Sequence, residues 1–202
     1  MPATTEIVVL SARQPFAAAL LETDKLLENR DWRFPPRYRG PVYVHSSRWD
    51  ARPPADVLAV DPWLADLWDD PTPLATVTGA IIGRVDLVCA ADSIDVVECY
   101  DKLAGQSRRT LTPRQLELLP YLPPVNKSSD PSTDPWRWWA GGGVLIFKNP
   151  AILKQPIPVS GKLGLWRRSV SSDRLAFREV RRKKRRKRSG RGGRLDDPPG
   201  DD

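Results

Sequence analysis

Histidine and cysteine are nearly missing from this 202-residue chain: His45 stands alone, and Cys89 and Cys99 are the only thiols. A structural zinc site takes four Cys or His ligands, so no metal centre is expected and no cofactor is called for. Long apolar runs are missing too, and Met1-Pro2-Ala3-Thr4-Thr5-Glu6 lacks the charged and apolar regions of a signal peptide. The expectation is a cytoplasmic protein with reduced thiols and no membrane partner. No glycine motif of the kind that cradles ATP or NAD occurs, since Gly141-Gly142-Gly143 leads into an apolar strand rather than a helix. No nucleophile motif surrounds any serine, which argues against Ser/His/Asp catalysis.

What is abundant is positive charge, concentrated in one place. The formal charge is +7 and the pI is near 9.7. Yet residues 167–194 hold 14 Lys/Arg against Asp173 and Glu179, and Asp196, Asp197, Asp201 and Asp202 follow, which leaves the body before Arg167 close to neutral. The run Arg181, Arg182, Lys183, Lys184, Arg185, Arg186, Lys187 and Arg188 repels itself, and Gly190, Gly192 and Gly193 loosen it further. Residues 169–202 are therefore expected to form a disordered basic tail with an acidic end. Such a run contacts phosphates without sequence preference, a solubilising role being the alternative. Within the body, residues 25–52 carry seven Lys/Arg against Glu28, Asp31 and Asp50, whereas residues 56–101 carry ten Asp/Glu against Arg84 alone. An anionic ligand is steered toward the first region.

The body is long enough for one domain with a real core. Glu6 to Leu10, Pro41 to Ser46, Ala80 to Cys89 and Val144 to Phe147 read as strands. Along Ala80–Cys89, Val85 and Leu87 share one face, and Arg84, Asp86 and Val88 share the other. Pro15 stands at a first helical position ahead of the apolar Phe16 to Leu21. Leu64, Leu67 and Trp68 recur at helical spacing, and Thr112-Pro113 gives a helix an N-cap and first residue before Pro120 stops it. From Pro120 to Pro135 the density of Pro, Ser and Asp marks a loop expected to be disordered. Trp136, Trp138 and Trp139 beside the glycines either seal the core or stack on bases.

Several of these segments carry a resemblance. Gln14-Pro15-Phe16, then Lys25-x-x-Glu28-x-Arg30, then Arg39-Gly40 ahead of a strand ending in His45, resemble an ASCH domain, a family of the PUA-like superfamily. Residues Pro156 to Trp166 are similar to the closing motif of that family, and Gly79 to Cys89 to its long central strand. The resemblance covers residues 5–168. It implies an α+β fold, a small mixed PUA-like β-barrel with flanking short helices over residues 1–168, and a cleft that meets RNA, nucleosides or modified bases. The family usually has Gly where Asp24 stands, and it lacks the glycine triplet.

The family's placement of its cleft makes Lys25, Glu28, Arg30 and Arg39 the candidate ligand-binding residues, with Asp86 as a carboxylate from the central strand. As residues, Lys25 and Arg30 suit phosphate, and Glu28 suits either orienting Arg30 or accepting from a base amino group. A purely structural ion pair is the alternative, both for Glu28 with Arg30 and for Asp86 with Arg84. Some relatives are amidohydrolases that remove acyl groups from N4 of cytidine, with Lys followed three residues later by Thr; here Glu28 replaces that hydroxyl. If the chain is an enzyme, Glu28 or Asp86 activates water and Lys25 stabilises an oxyanion. The resulting expectation is an RNA- or nucleoside-binding protein. The alternatives are an RNA-processing hydrolase, amidohydrolase-like or ribonuclease-like, and a protein-interaction adaptor using the segment Trp63 to Asp70.

Overall fold

The computed structural model describes residues 3–23, 25–30, 36–52, 55, 62–125 and 134–178. Its centre is one mixed sheet. The strands are β1 (Thr4–Gln14), β2 (Leu27–Arg30), β3 (Gly40–Trp49), β4 (Ala80–Ala91), β5 (Gly143–Pro158), β6 (Leu165–Ser171) and β7 (Phe177–Arg178). They lie in the order β2-β5-β4-β3-β1-β6, with β7 on a second stretch of β5. All described pairings are antiparallel except β1 with β3. The four apolar runs read as strands do share one sheet, each longer than its apolar core because backbone pairing continues into polar residues.

The helices are short: α1 (Phe16–Glu22), α2 (Pro62–Asp69), α3 (Ser93–Leu103) and α4 (Pro113–Leu118). Helix α1 lies against the sheet, where Leu20 and Leu21 join Leu10, Val44, Val85, Leu87, Leu145 and Phe147 in the main core. A Cβ at Gly83 would sit 2.5 Å from Leu21 Cδ1 and 2.6 Å from the Ala151 carbonyl oxygen, so only glycine lets helix and sheet approach this closely. Gln14 fastens α1 at its start: its side-chain oxygen accepts from Ala18 N (3.1 Å), and its amide donates to the carbonyls of Leu74 (3.0 Å) and Val77 (2.8 Å). A second cluster joins α3 and α4 to Leu27, Val144, Ile146, Trp136 and Trp138. A third gathers Ile7, Val9, Tyr43, Ile81, Trp166 and Val170.

Two expectations are corrected here. The sheet is not closed into a barrel: β2 and β6 end the hydrogen-bonded path. Strand β2 has four residues, all spent on pairing with β5, and β6 pairs with β1 only from Thr4 to Leu10. Among the described residues, the stretch Ser11–Gln14 of β1 thus has β3 on one side and no strand on the other. A seam stays open there, crossed by a side chain: Arg30 of β2 donates from Nη2 to the Ser11 carbonyl of β1 (2.7 Å). The folded body also runs past the boundary at 168, because Val170, Leu175 and Phe177 pack into the third cluster and β7 pairs with β5. The cationic run 181–188 and the acidic end lie outside the described residues, as do residues 126–133 of the loop expected at 120–135. Among the described residues no helix is long and apolar enough to cross a membrane.

Candidate functional site

The seam between β1 and β2 opens into a cavity of about 740 Å³, and the Lys25, Glu28 and Arg30 side chains meet there. The turn out of α1 sets this up. Thr23 donates from its hydroxyl to the Ala19 carbonyl (2.7 Å) and accepts from Lys25 N (3.1 Å), which turns the chain from helix toward strand. Strand alternation then puts Glu28 and Arg30 on one face. The Lys25 ammonium reaches forward to Glu28 Oε2 (3.0 Å), while Arg30 Nη2 lies 3.2 Å from Glu28 Oε1. One carboxylate is thereby held between two cations.

This is a buried network, with Lys25 3% and Glu28 8% exposed. The ammonium also donates to the Leu27 carbonyl and lies 5.0 Å from the ring centre of Trp138 and 5.7 Å from that of Phe16. Burial lowers the Lys25 pKa from its ordinary value, and the Glu28 charge opposes that shift. With a carboxylate, a carbonyl and aromatic faces around it, Lys25 is committed to holding Glu28. Removing one partner of such a pair leaves an uncompensated buried charge, at a cost of about 3–5 kcal/mol.

The far wall comes from a distant part of the chain. Asn29 donates to the Trp138 carbonyl (2.7 Å) and accepts from Ala140 N (2.9 Å), pinning residues 138–140 to β2. Trp138 and Trp139 line the cavity with Phe16, and Arg137 lies 5.3 Å from the Trp138 ring centre. Arg13 of β1, paired with Asp50, completes the mouth. Sequence reading missed Arg13, Asn29, Asp50 and Arg137. The alternation of Ser11 and Arg13 with Ala12 at the end of β1 was a usable signal; nothing local pointed to the others.

Arg39 and Asp86 do not join this group. Asp86 pairs with Lys148, and its neighbour Leu87 with Phe147. Phe147 shares a face with Leu145, and Leu145 is the partner of Glu28. Glu28 therefore lies on the Leu87 face and Asp86 on the opposite one, where it accepts from Asn149 (2.9 Å). The alternation along β4 was read correctly, but the cleft is on the other side. Arg39 is exposed and donates to the carbonyls of Pro36 and Tyr38, at the rim of a separate cavity near α4 that holds Arg37, Cys89 and Arg114. Asp24, Arg33 and the run Arg181–Arg188 lie outside the described residues.

The tryptophans divide their roles. Trp136 is buried and donates to the Pro123 carbonyl (2.9 Å), so it seals the α3/α4 core, whereas half-buried Trp139 fronts the cleft. Trp68 of α2 packs edge-on against Phe16 at 5.6 Å, while Asp66, Asp69 and Asp70 of the segment suggested as an adaptor surface are exposed; the Trp63 side chain lies outside the described residues. Among the described residues no group of three His, Cys, Asp or Glu side chains converges to hold a metal. No protein-family model matches the chain, and no curated protein matches it.

Proposed function

We propose that this chain is an RNA- or nucleoside-binding protein of the ASCH type, PUA-like in its mixed sheet and short helices, whose open seam receives a base. One observation carries the reading: a buried carboxylate, Glu28, is fixed between two cations on the floor of an aromatic-walled cleft. Each Glu28 oxygen has one cationic partner, which leaves acceptor capacity for a base amino group. Half-buried Trp139 offers a face on which a base stacks, worth about 1–3 kcal/mol per base, while buried Trp138 backs the wall against Lys25 and Arg137. Four cations, Arg13, Lys25, Arg30 and Arg137, against Glu28 and Asp50 bias the cleft toward an anionic ligand.

The test is equilibrium binding of nucleosides and short single-stranded RNAs to the full chain, purified with nuclease controls, against Arg30→Gln and Trp139→Ala variants. Arg30→Gln is expected to weaken the preferred ligand by about 1.5–3 kcal/mol, roughly tenfold to a hundredfold. Trp139→Ala is expected to weaken all bases alike. Thermal melts keep loss of fold apart from loss of binding. If both variants retain the affinity and preference of the parent chain, the cleft is not the site. Incubation with N4-acetylcytidine and mass spectrometry covers the hydrolytic alternative: release of cytidine by the parent chain and none by Glu28→Gln would make the protein an amidohydrolase instead.

A further inference from the structure

The cleft has a neighbour across the seam. A second cavity, of about 720 Å³, is lined by Arg13, Arg30, Arg48 and Lys162, together with Ser47 and Thr78, and by no Asp or Glu. Arg13 and Arg30 line both cavities. Their carboxylate partners, Asp50 and Glu28, line only the first. The two guanidinium groups thus stand as a partition with acids on one side and further cations on the other.

Local structure concentrates that charge. Ala12 pairs with Ser46 and Gln14 with Trp49, so Ser47 and Arg48 of β3 together oppose Arg13 of β1 in a bulge. A bulge re-aims the side chains it carries. Lys162 arrives from the β5–β6 connection, its ammonium 6.0 Å from the ring centre of Trp166. Neither Arg48 nor Lys162 has a carboxylate within ion-pair distance among the described residues. On the floor, His45 is 2% exposed; its Nε2 donates to the Val159 carbonyl (3.0 Å), and its Nδ1 has no donor among the described residues. A Cβ at Gly161 would come within 2.7 Å of that nitrogen, so the glycine is what lets the Lys162 connection lie this close. Arg13 and Arg30 are each offset by a carboxylate on the far side, so the charge left over on this side is that of Arg48 and Lys162, and a multivalent anion neutralises it while accepting hydrogen bonds from all four groups.

We infer that this second cavity is a phosphate subsite, so that the ligand of the paired cavities is a nucleotide, its base in the aromatic lobe and its phosphate among Arg13, Arg30, Arg48 and Lys162. The inference rests on the base-binding reading of the first cavity and adds the phosphate to it. Both volumes fall in the range of small-ligand sites.

Calorimetric titration of the full chain with the four nucleosides, their 3′- and 5′-monophosphates and inorganic phosphate tests it, repeated on an Arg48→Gln/Lys162→Gln double variant. The expected result is a monophosphate that binds about tenfold or more tighter than its nucleoside, an advantage that disappears in the double variant. Equal affinity of nucleoside and monophosphate in the parent chain, or an advantage that survives both substitutions, overturns the phosphate subsite and leaves the base cleft standing. Silent nucleosides, with inorganic phosphate binding lost in the double variant, overturn the base cleft and keep the anion site. No binding by any of these ligands removes both.

Discussion

At the scale of single residues, the site is built from buried polar groups whose partners are fixed by geometry. Lys25 spends its ammonium on Glu28, the Leu27 carbonyl and two aromatic faces, so it positions the carboxylate instead of meeting solvent. His45 is the converse case, a buried ring with one nitrogen satisfied and the other held under Gly161. Burial lowers its pKa from the ordinary 6.5, with the Val159 hydrogen bond opposing. The unfolded chain therefore takes up this proton at higher pH than the folded one. Stability attributable to His45 is present above pH 6.5 and is lost as pH falls through the lowered folded value, by at most about 1.4 kcal/mol per pH unit for one proton. Urea unfolding between pH 7 and 5 is expected to show a shallower loss of stability in His45→Gln than in the parent chain. Parallel slopes would mean that His45 takes its proton equally well in both states.

At the scale of elements, what the sequence made legible depended on how local the signal was. Helix α4 was readable because its cap is complete within four residues: Thr112 Oγ1 accepts from Gln115 N (3.3 Å), and Gln115 Oε1 accepts from Thr112 N (2.9 Å). Thr112→Ala is expected to cost about 1 kcal/mol, seen as a lower melting temperature, while Thr112→Ser is expected to keep most of the cap. Equal melting of all three proteins would show that the helix is held by tertiary packing alone. Helix α3 was missed although it announces itself in the same way, with Asp92 accepting from Asp95 N (2.9 Å) and Val96 and Cys99 buried one turn apart. Its acidic surface drew attention to charge instead of period. The strands were found from apolar runs, and the Lys25, Glu28 and Arg30 grouping came from the family resemblance, with strand alternation alone placing only Glu28 and Arg30 on one face. The open seam, the side of the sheet on which the cleft lies and the pairing of Asn29 with residues 138–140 were not legible, because each depends on contacts between segments far apart in the chain.

At the scale of the whole molecule, the excess positive charge and the proposed base cleft lie in different parts of the chain. The sheet and its helices account for residues up to Arg178, and most of the excess cations follow them. Val170, Leu175 and Phe177 belong to the core, so a truncation that keeps the fold has to start after Arg178. With residues 179–202 removed, binding to random single-stranded RNA at low salt is expected to weaken. The fall of log K with log salt is expected to flatten, by about 0.7 for each tail cation that had met a phosphate. The base preference proposed for Glu28 and Arg30 is expected to persist, because counterion release carries no sequence information. A truncated chain that keeps the salt slope of the full one would place the phosphate contacts on the folded body, with Arg13, Arg48 and Lys162 as the first residues to neutralise. A truncated chain that lost its base preference would instead bring the tail into the recognition of the base itself.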